Sequence, residues 1–290
     1  MIQVLHPGHF PDYELIDSGN GEKVERLGKY VLIRPEPQAL WSPSMPETEW
    51  RKLADARFIQ DGSSSGDWER YNKQLPDQWV IGYQHQGMRL NFRLGLTRFK
   101  HVGIFPEQSV NWDFIYQRSK ALDQPKVLNL FAYTGGASLA AKAGGADVIH
   151  CDAIKQVVNW AAANMELSKL DGIRWLVEDA FKFVQREAKR GNLYDGIILD
   201  PPAWGHGPKG EKWKLEDQIN ELVSYVATIL HPERGFLVFN AYSLGYSSLI
   251  LENLGRTHFK PAQLTQLQIG ELCLPERSGR KLPAGVFMRF

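Results

Sequence analysis

The spacing of apolar residues changes character near residue 100. Upstream, short apolar runs are broken every few positions by Gly, Pro, Asp and Ser, and no stretch keeps a helical period. The clearest element there covers residues 88–94: Met88, Leu90, Phe92 and Leu94 fall on one face, Arg89, Asn91 and Arg93 on the other. That alternation predicts a half-buried strand with a basic outer face. The run Asp61-Gly-Ser-Ser-Ser-Gly-Asp67 is too polar to pack and is expected as an exposed turn. Beyond Leu122 the rhythm becomes strand then helix. Strands are expected at 127–131, 146–151, 173–177, 194–199 and 235–239. Helices are expected over 136–143, 153–167, from Asp179 onward, over 215–230 and near 247–254. Two last apolar segments, 264–269 and 286–290, are candidates for an antiparallel pair closing the sheet. The alternation predicts an α/β fold with a Rossmann-like, mostly parallel sheet covered by helices. A small β-rich attachment precedes it, which divides the chain into residues 1–100 and 101–290.

Composition narrows the picture only a little. A chain of 290 residues can bury a substantial core, and a formal net charge of +1 gives no global signature of a basic nucleic-acid binder. Two cysteines, Cys151 and Cys273, make neither a zinc cluster nor a disulfide scaffold, so no metal site is expected. No apolar run is long enough to span a bilayer and the start lacks a signal-peptide pattern, so a cytoplasmic location without membrane contact is expected. Oligomeric state leaves no trace in the sequence.

Chemistry should collect at the carboxyl ends of the parallel strands, where loops leave the sheet and helix amino ends offer unpaired N–H groups. The run Val127-Leu-Asn-Leu-Phe-Ala-Tyr-Thr-Gly-Gly136 ends the first strand in a glycine turn. Phe131, Tyr133, Thr134 and Gly135 would line a ligand there. Asp152 ends the second strand and can accept two ribose hydroxyl protons, with Ile154 available to an adenine face. Asp179 ends the third; its carboxylate can receive an adenine amino group while the Ala180 N–H donates to a ring nitrogen. Both acids serve equally well as helix caps on this reading. A dinucleotide pyrophosphate fits poorly, because Phe131-Ala-Tyr-Thr-Gly-Gly136 lacks the first glycine of Gly-x-Gly-x-x-Gly. After the fourth strand, Asp200-Pro201-Pro202 makes a rigid extended turn that can present the acid and the Pro201 carbonyl at one place.

With these residues in order, the chain from about Gly103 to its end resembles class I S-adenosylmethionine-dependent methyltransferases, and in particular bacterial enzymes that methylate large-subunit ribosomal RNA. Gly103-Ile-Phe-Pro-Glu107 is similar to the family's segment before the first sheet strand, Asn129-Leu-Phe-Ala-Tyr-Thr-Gly135 to its first motif, and Asp200-Pro-Pro-Ala-Trp204 to the motif beside the transferred methyl. The resemblance implies S-adenosylmethionine as cofactor, Asp152 as the ribose acid, Asp179 as the adenine-side residue and ribosomal RNA as substrate. It covers roughly two thirds of the chain, the first hundred residues matching only as a compact β-rich attachment.

Relatives that methylate carbon 5 of a pyrimidine need a cysteine nucleophile. Here Ala203 follows the proline pair and Phe239-Asn-Ala-Tyr-Ser243 follows the fifth strand, so transfer to nitrogen or oxygen is favoured, with Cys151 read as structural. The loop Gly205-His-Gly-Pro-Lys-Gly-Glu-Lys-Trp-Lys214 then supplies candidate RNA contacts: Lys209, Lys212 and Lys214 to phosphates, Trp213 and Trp204 as stacking surfaces. A lone His206 is a weaker candidate for proton removal. The alternatives are a protein or small-molecule methyltransferase, or a noncatalytic RNA-binding protein that keeps the fold.

Overall fold

The computed structural model describes residues 1–62, 65–242 and 245–290; Ser63 and Ser64 of the expected turn and Ser243 after the fifth strand lie outside them. By internal contact the chain forms two compact units. One comprises Met1–Leu5, Gln108–Leu272 and Ala284–Phe290, the other His6–Glu107 and Cys273–Pro283. The sequence reading divides the chain at 100/101 instead. It foresaw neither the first strand, β1 (Ile2–Leu5), as part of the large sheet nor the return of residues 273–283 to the smaller unit.

The smaller unit is β-rich, as expected. It contains β2 (Tyr13–Gly19), β3 (Glu22–Leu27), β4 (Tyr30–Pro35), a short helix α1 (Glu47–Leu53), β5 (Ala56–Gln60) and β6 (Gly66–Arg70). These strands form a sheet in chain order, beside a separate hairpin of β7 (Gln78–His85) and β8 (Met88–Gly95). In β8 the predicted alternation is realised: Met88, Leu90, Phe92 and Leu94 are all buried. Residues 273–283 belong here because Arg280 donates to the buried Asp17, which also accepts from the Trp50 indole and three backbone N–H groups.

The larger unit alternates strand and helix: α2 (Ser109–Lys120), β9 (Lys126–Leu130), α3 (Gly136–Ala143), β10 (Asp147–Asp152), α4 (Lys155–Leu167), β11 (Ile173–Val177), α5 (Ala180–Arg190) and β12 (Gly196–Leu199). A small ribbon of β13 (Trp204–His206) and β14 (Lys212–Lys214) follows, then α6 (Leu215–Ile229), β15 (Phe236–Ala241), α7 (Ser248–His258), β16 (Gln268–Pro275) and β17 (Lys281–Arg289). The sheet order is β1-β16-β17-β15-β12-β9-β10-β11. Strands β15, β12, β9, β10 and β11 run parallel, and β17 closes antiparallel against β15. Leu264–Leu267, expected as strand, lies instead in and after a short 3-10 turn that leads into β16.

The chain leaves β9 toward β10 and β11, then returns to place β12 on the other side of β9. That reversal opens a crevice between the carboxyl ends of β9 and β12, where ligands bind in open α/β sheets. On one face, Leu128, Leu130, Ile197, Leu199, Leu237 and Phe239 share a buried cluster with Phe183 and Val184 of α5 and Leu222, Val223 and Val226 of α6. Each such side chain contributes about 1.5–3 kcal/mol by leaving water. On the opposite face, α3 is tied down by a polar chain: Asn129 donates to the Ser138 hydroxyl (2.9 Å), which meets His150 Nδ1 at 3.0 Å. Burial holds His150 neutral, its pKa depressed to about 3.

Candidate active site

The loop after β9 is the tightest backbone in the crevice. Phe131, Tyr133 and Gly135 all have positive φ (56°, 48° and 91°), a run that side-chain-bearing residues rarely adopt. The loop is held from outside. Tyr133 N–H donates to Asp152 Oδ2 (2.9 Å), Ala132 N–H to the Cys151 carbonyl (3.2 Å), and Asn164 Nδ2 to the Thr134 carbonyl (3.0 Å). Gly136, the first residue of α3, has no room for a side chain: a β-carbon there would lie 2.7 Å from the Trp112 ring. Thr134 and Gly135 are buried, so of the expected lining residues only Phe131 and Tyr133 keep partial exposure.

Asp152 is fixed by the same contacts. Besides Tyr133, it accepts from Ile154 N–H (3.0 Å), and burial raises its pKa against the lowering pull of those amides. Ile154 stands 53% exposed, and Val177, opposite Asp152 in the β10–β11 register, is 43% exposed. Two bare apolar side chains thus flank a carboxylate. Asp179 caps α5, accepting from Lys182 N–H at 2.8 Å through Oδ1. The cap reading is therefore realised, but it occupies only one oxygen. Oδ2 lies against Gly207, where a β-carbon would be 3.0 Å from it, and Ala180 sits at the first helical position, whose N–H has no partner within the helix.

Asp200 is different. No described side chain or amide hydrogen-bonds its carboxylate, and desolvation alone pushes its pKa up to about 7. Pro201 beside it is buried while Pro202 and Ala203 are exposed. The Pro202 carbonyl accepts the Trp213 indole N–H at 2.7 Å, so the turn is braced from β14.

The ribbon that follows corrects one expectation. Trp213 is 4% exposed, packs against the Phe131 ring at 5.0 Å between centroids and belongs to the core. It cannot offer a stacking face to a base. In β13 and β14 successive side chains alternate: Gly205 and Trp213 turn inward, while Trp204, His206, Lys212 and Lys214 are exposed. Trp204 is 62% exposed and stacks edge-on against His206 at 4.4 Å. Lys214 pairs with Glu216 (2.6 Å) and Asp217 (3.6 Å), which leaves less of its charge for a phosphate than Lys209 and Lys212 have. The ribbon is clasped to α5 by Lys182 Nζ to Glu211 Oε1 (2.8 Å), and Glu211 Oε2 accepts from Lys209 N–H (2.8 Å). Lys182, Gly207 and Glu211 were not picked from sequence; their only signal there was the glycine-rich turn itself.

Cys151 is fully buried with its thiol near the Glu178 carbonyl (3.6 Å), and burial raises its pKa far above the thiol range. Such a sulfur is inert as a nucleophile. Among the described residues no cluster of His, Cys, Asp and Glu converges as a metal site, and no helix is long and apolar enough to cross a membrane.

The crevice therefore holds a half-buried acid between two apolar side chains, a second acid with one oxygen not used by its helix cap, a tight amide-rich loop, and at the switch point a carboxyl that no described group hydrogen-bonds. These residues fit an adenosyl cofactor with its reacting group toward β12. A profile of the S-adenosylmethionine-dependent methyltransferase family matches residues 53–257, and the chain belongs to that family. It is similar to an S-adenosylmethionine-dependent methyltransferase from Agrobacterium tumefaciens of known structure, with 40% sequence identity and a TM-score of 0.89 over 99% of this chain and 93% of that one. It is also similar to ribosomal RNA large subunit methyltransferase K/L of Magnetococcus marinus (31% identity, 81% of this chain, 33% of that protein) and of Shewanella frigidimarina (29% identity, 63% and 25%). The chain spans about a third or less of the length of these relatives. Its α/β fold, with a mostly parallel sheet closed by antiparallel pairing and a β-rich amino-terminal region, is the one the sequence predicts.

Proposed function

We propose that the chain methylates RNA, specifically large-subunit ribosomal RNA, on a nitrogen or oxygen atom aligned by Asp200. The observation that carries this reading is the ribbon directly after Asp200-Pro201-Pro202: its inner face is anchored by Trp213, and its outer face displays Trp204, His206 and Lys212 beside the crevice. An aromatic flanked by cations suits a stacked base with adjoining phosphates. The names of the similar K/L enzymes point the same way.

In this reading Asp152 accepts the ribose hydroxyls, Ile154 and Val177 cover the adenine, and the free Asp179 oxygen and Ala180 N–H meet its amino group and ring nitrogen. Phe131, Tyr133, Thr134 and Gly135 close around the methionine side. When bound, the cofactor supplies an electrophilic methyl on a sulfonium sulfur. Asp200 would hold the acceptor's N–H or O–H and orient its lone pair toward the donated methyl. On transfer, the acceptor's proton would pass to Asp200 or to solvent. Pro201 and Pro202 fix the carboxyl so that little ordering remains to be done. Lys209 and Lys212 contact phosphates, with Lys214 a weaker contributor.

The test is a screen of unmodified large-subunit ribosomal RNA, transfer RNA and protein fractions with labelled methyl donor. Label in large-subunit RNA, at a base nitrogen or an oxygen, is expected; label confined to protein or small molecules would refute the RNA assignment.

A further inference from the structure

Asp200 has a neighbour whose orientation is set from deep in the sheet. Leu199 pairs with Phe239 in parallel register, so Asp200 and Asn240 are the next residues out on adjacent strands, about 5 Å apart by strand spacing. Asn240 is 4% exposed. Its Oδ1 accepts from Asn111 Nδ2 at 2.9 Å. Asn111 cannot be turned the other way, because its own Oδ1 accepts from the Arg289 guanidinium at 3.0 Å and its Nδ2 donates to Gln108 Oε1 at 3.0 Å. A guanidinium only donates, so the order of donors and acceptors runs one way from Arg289 through Asn111 to Asn240. Arg289 is itself held by Gln268 Oε1 (2.8 Å) and the Val110 carbonyl (3.2 Å), with the Phe114 ring 4.6 Å from its centre. Since the Asn240 oxygen is committed to Asn111, its NH₂ is left to point elsewhere. No described residue accepts from it, and no hydrogen bond joins it to Asp200.

The Asn240 NH₂ therefore reaches solvent at the strand end, and a molecule that covers it must accept from it or leave it unsatisfied at a cost of about 1–3 kcal/mol. We propose that the Asn240 NH₂ is a substrate-reading donor: beside Asp200, which accepts from the group to be methylated, it donates to an adjacent acceptor on the same molecule. The pair reads an N–H next to a carbonyl or ring nitrogen, the amide- or amidine-type edge of a nucleobase. That assigns transfer to a base nitrogen rather than to a ribose hydroxyl. Arg289 and Asn111 are positioning residues that set which end of the Asn240 amide faces the crevice. The inference rests on the assignment of methyl transfer to Asp200.

Two measurements test it, one of which needs no RNA. Sinefungin carries an amine where the transferred methyl sits, whereas S-adenosylhomocysteine carries nothing there. Asn240→Asp replaces a donor by an acceptor of the same size, so the ratio of sinefungin to S-adenosylhomocysteine affinity should rise about tenfold by calorimetry. Asn240→Ala should not raise it. An unchanged ratio in folded Asn240→Asp protein overturns the placement of this amide beside the methyl. The second measurement is single-turnover transfer to unmodified large-subunit ribosomal RNA transcript. Measured against the parent at the same pH, Asn240→Asp should lose at least thirtyfold at pH 8 and less at pH 6, where a protonated carboxyl can donate again; Asn240→Ala should lose as much at both. Arg289→Met, which frees the Asn111 amide to rotate, should lose less than either. If Asp200→Ala abolishes transfer while both Asn240 variants keep the parent rate, the Asn240 proposal fails alone. If Asp200→Ala itself transfers normally, the reading of the site fails and the Asn240 proposal with it.

Discussion

The acids at the two ends of the crevice are built in opposite ways. On the cofactor side, Asp152 already holds the amides of Tyr133 and Ile154, and Asp179 holds that of Lys182. Each shapes its own loop, and in the proposed reading each keeps only part of its accepting capacity for the cofactor. On the proposed reaction side no described group hydrogen-bonds Asp200, and desolvation raises its pKa. The difference teaches how to separate the two roles: a carboxylate that satisfies the backbone is architecture as well as ligand contact, while one left bare in a polar-poor turn is reserved for what binds there.

The largest expected effect breaks this contrast at its functional end. Asp200→Ala should cut single-turnover methyl transfer by about 10²–10⁴-fold, with cofactor affinity by calorimetry within a few-fold of the parent. Equal losses in both would make Asp200 a structural brace like Asp152.

Next in size, the ribbon separates along its two faces. Trp213→Ala should destabilise the fold by about 3–5 kcal/mol in denaturant titrations, as for other buried tryptophans. Trp204→Ala should leave stability within about 0.5 kcal/mol yet weaken RNA binding by about 1–3 kcal/mol if a base stacks there. A destabilised Trp204 variant, or a Trp213 variant that loses RNA affinity without losing stability, would reverse the assignment of inner and outer face.

The positions of the three acids were legible in the sequence. The strand–helix rhythm from residue 127 onward placed Asp152, Asp179 and Asp200 at successive strand ends, because a parallel sheet buried on both faces writes near-continuous apolar runs that stop abruptly where chemistry begins. Trp213 was misread for a physical reason: β14 is three residues long, too short for a period of two to stand out from a lysine-rich loop. The relay to Asn240 joins residues 111, 240 and 289, which sit together only because β17 returns beside β15. Local pattern carries no information about such a pairing. The edge strand β1 was missed likewise, since its four residues find their partner in β16 at the far end of the chain.

On the cofactor side, Asp152→Ala should weaken S-adenosylmethionine binding by about 1–3 kcal/mol. Loss of its hold on Tyr133 and Ile154 should also loosen the glycine turn. Hydrogen exchange at those two amides reads the second effect. Unchanged exchange with lost affinity would confine Asp152 to ligand contact and weaken the contrast drawn above.

The smallest effect concerns stability and pH. The pKa of Asp200 in the folded protein lies above its unfolded value, so its contribution to stability is fully present below about pH 4 and is lost as pH rises through about 7. Asp200→Asn removes that loss. It should stabilise the protein at pH 8 by about 1–2 kcal/mol, with the gain shrinking steadily toward pH 4. A pH-independent difference would mean the carboxyl is not desolvated as described. In the parent, transfer that needs the carboxylate form should fall as pH drops below about 7.

The central claim is that Asp200 acts on the methyl acceptor while Asp152 acts on the cofactor, and saturation separates them. Single-turnover transfer to the RNA substrate should be followed in Asp152→Ala and Asp200→Ala as S-adenosylmethionine is raised until each variant is fully loaded. The Asp152 variant should then regain most of the parent rate, and the Asp200 variant should remain about 10²-fold or more below it. Recovery of the Asp200 variant, with persistent loss in the Asp152 variant, would contradict the account.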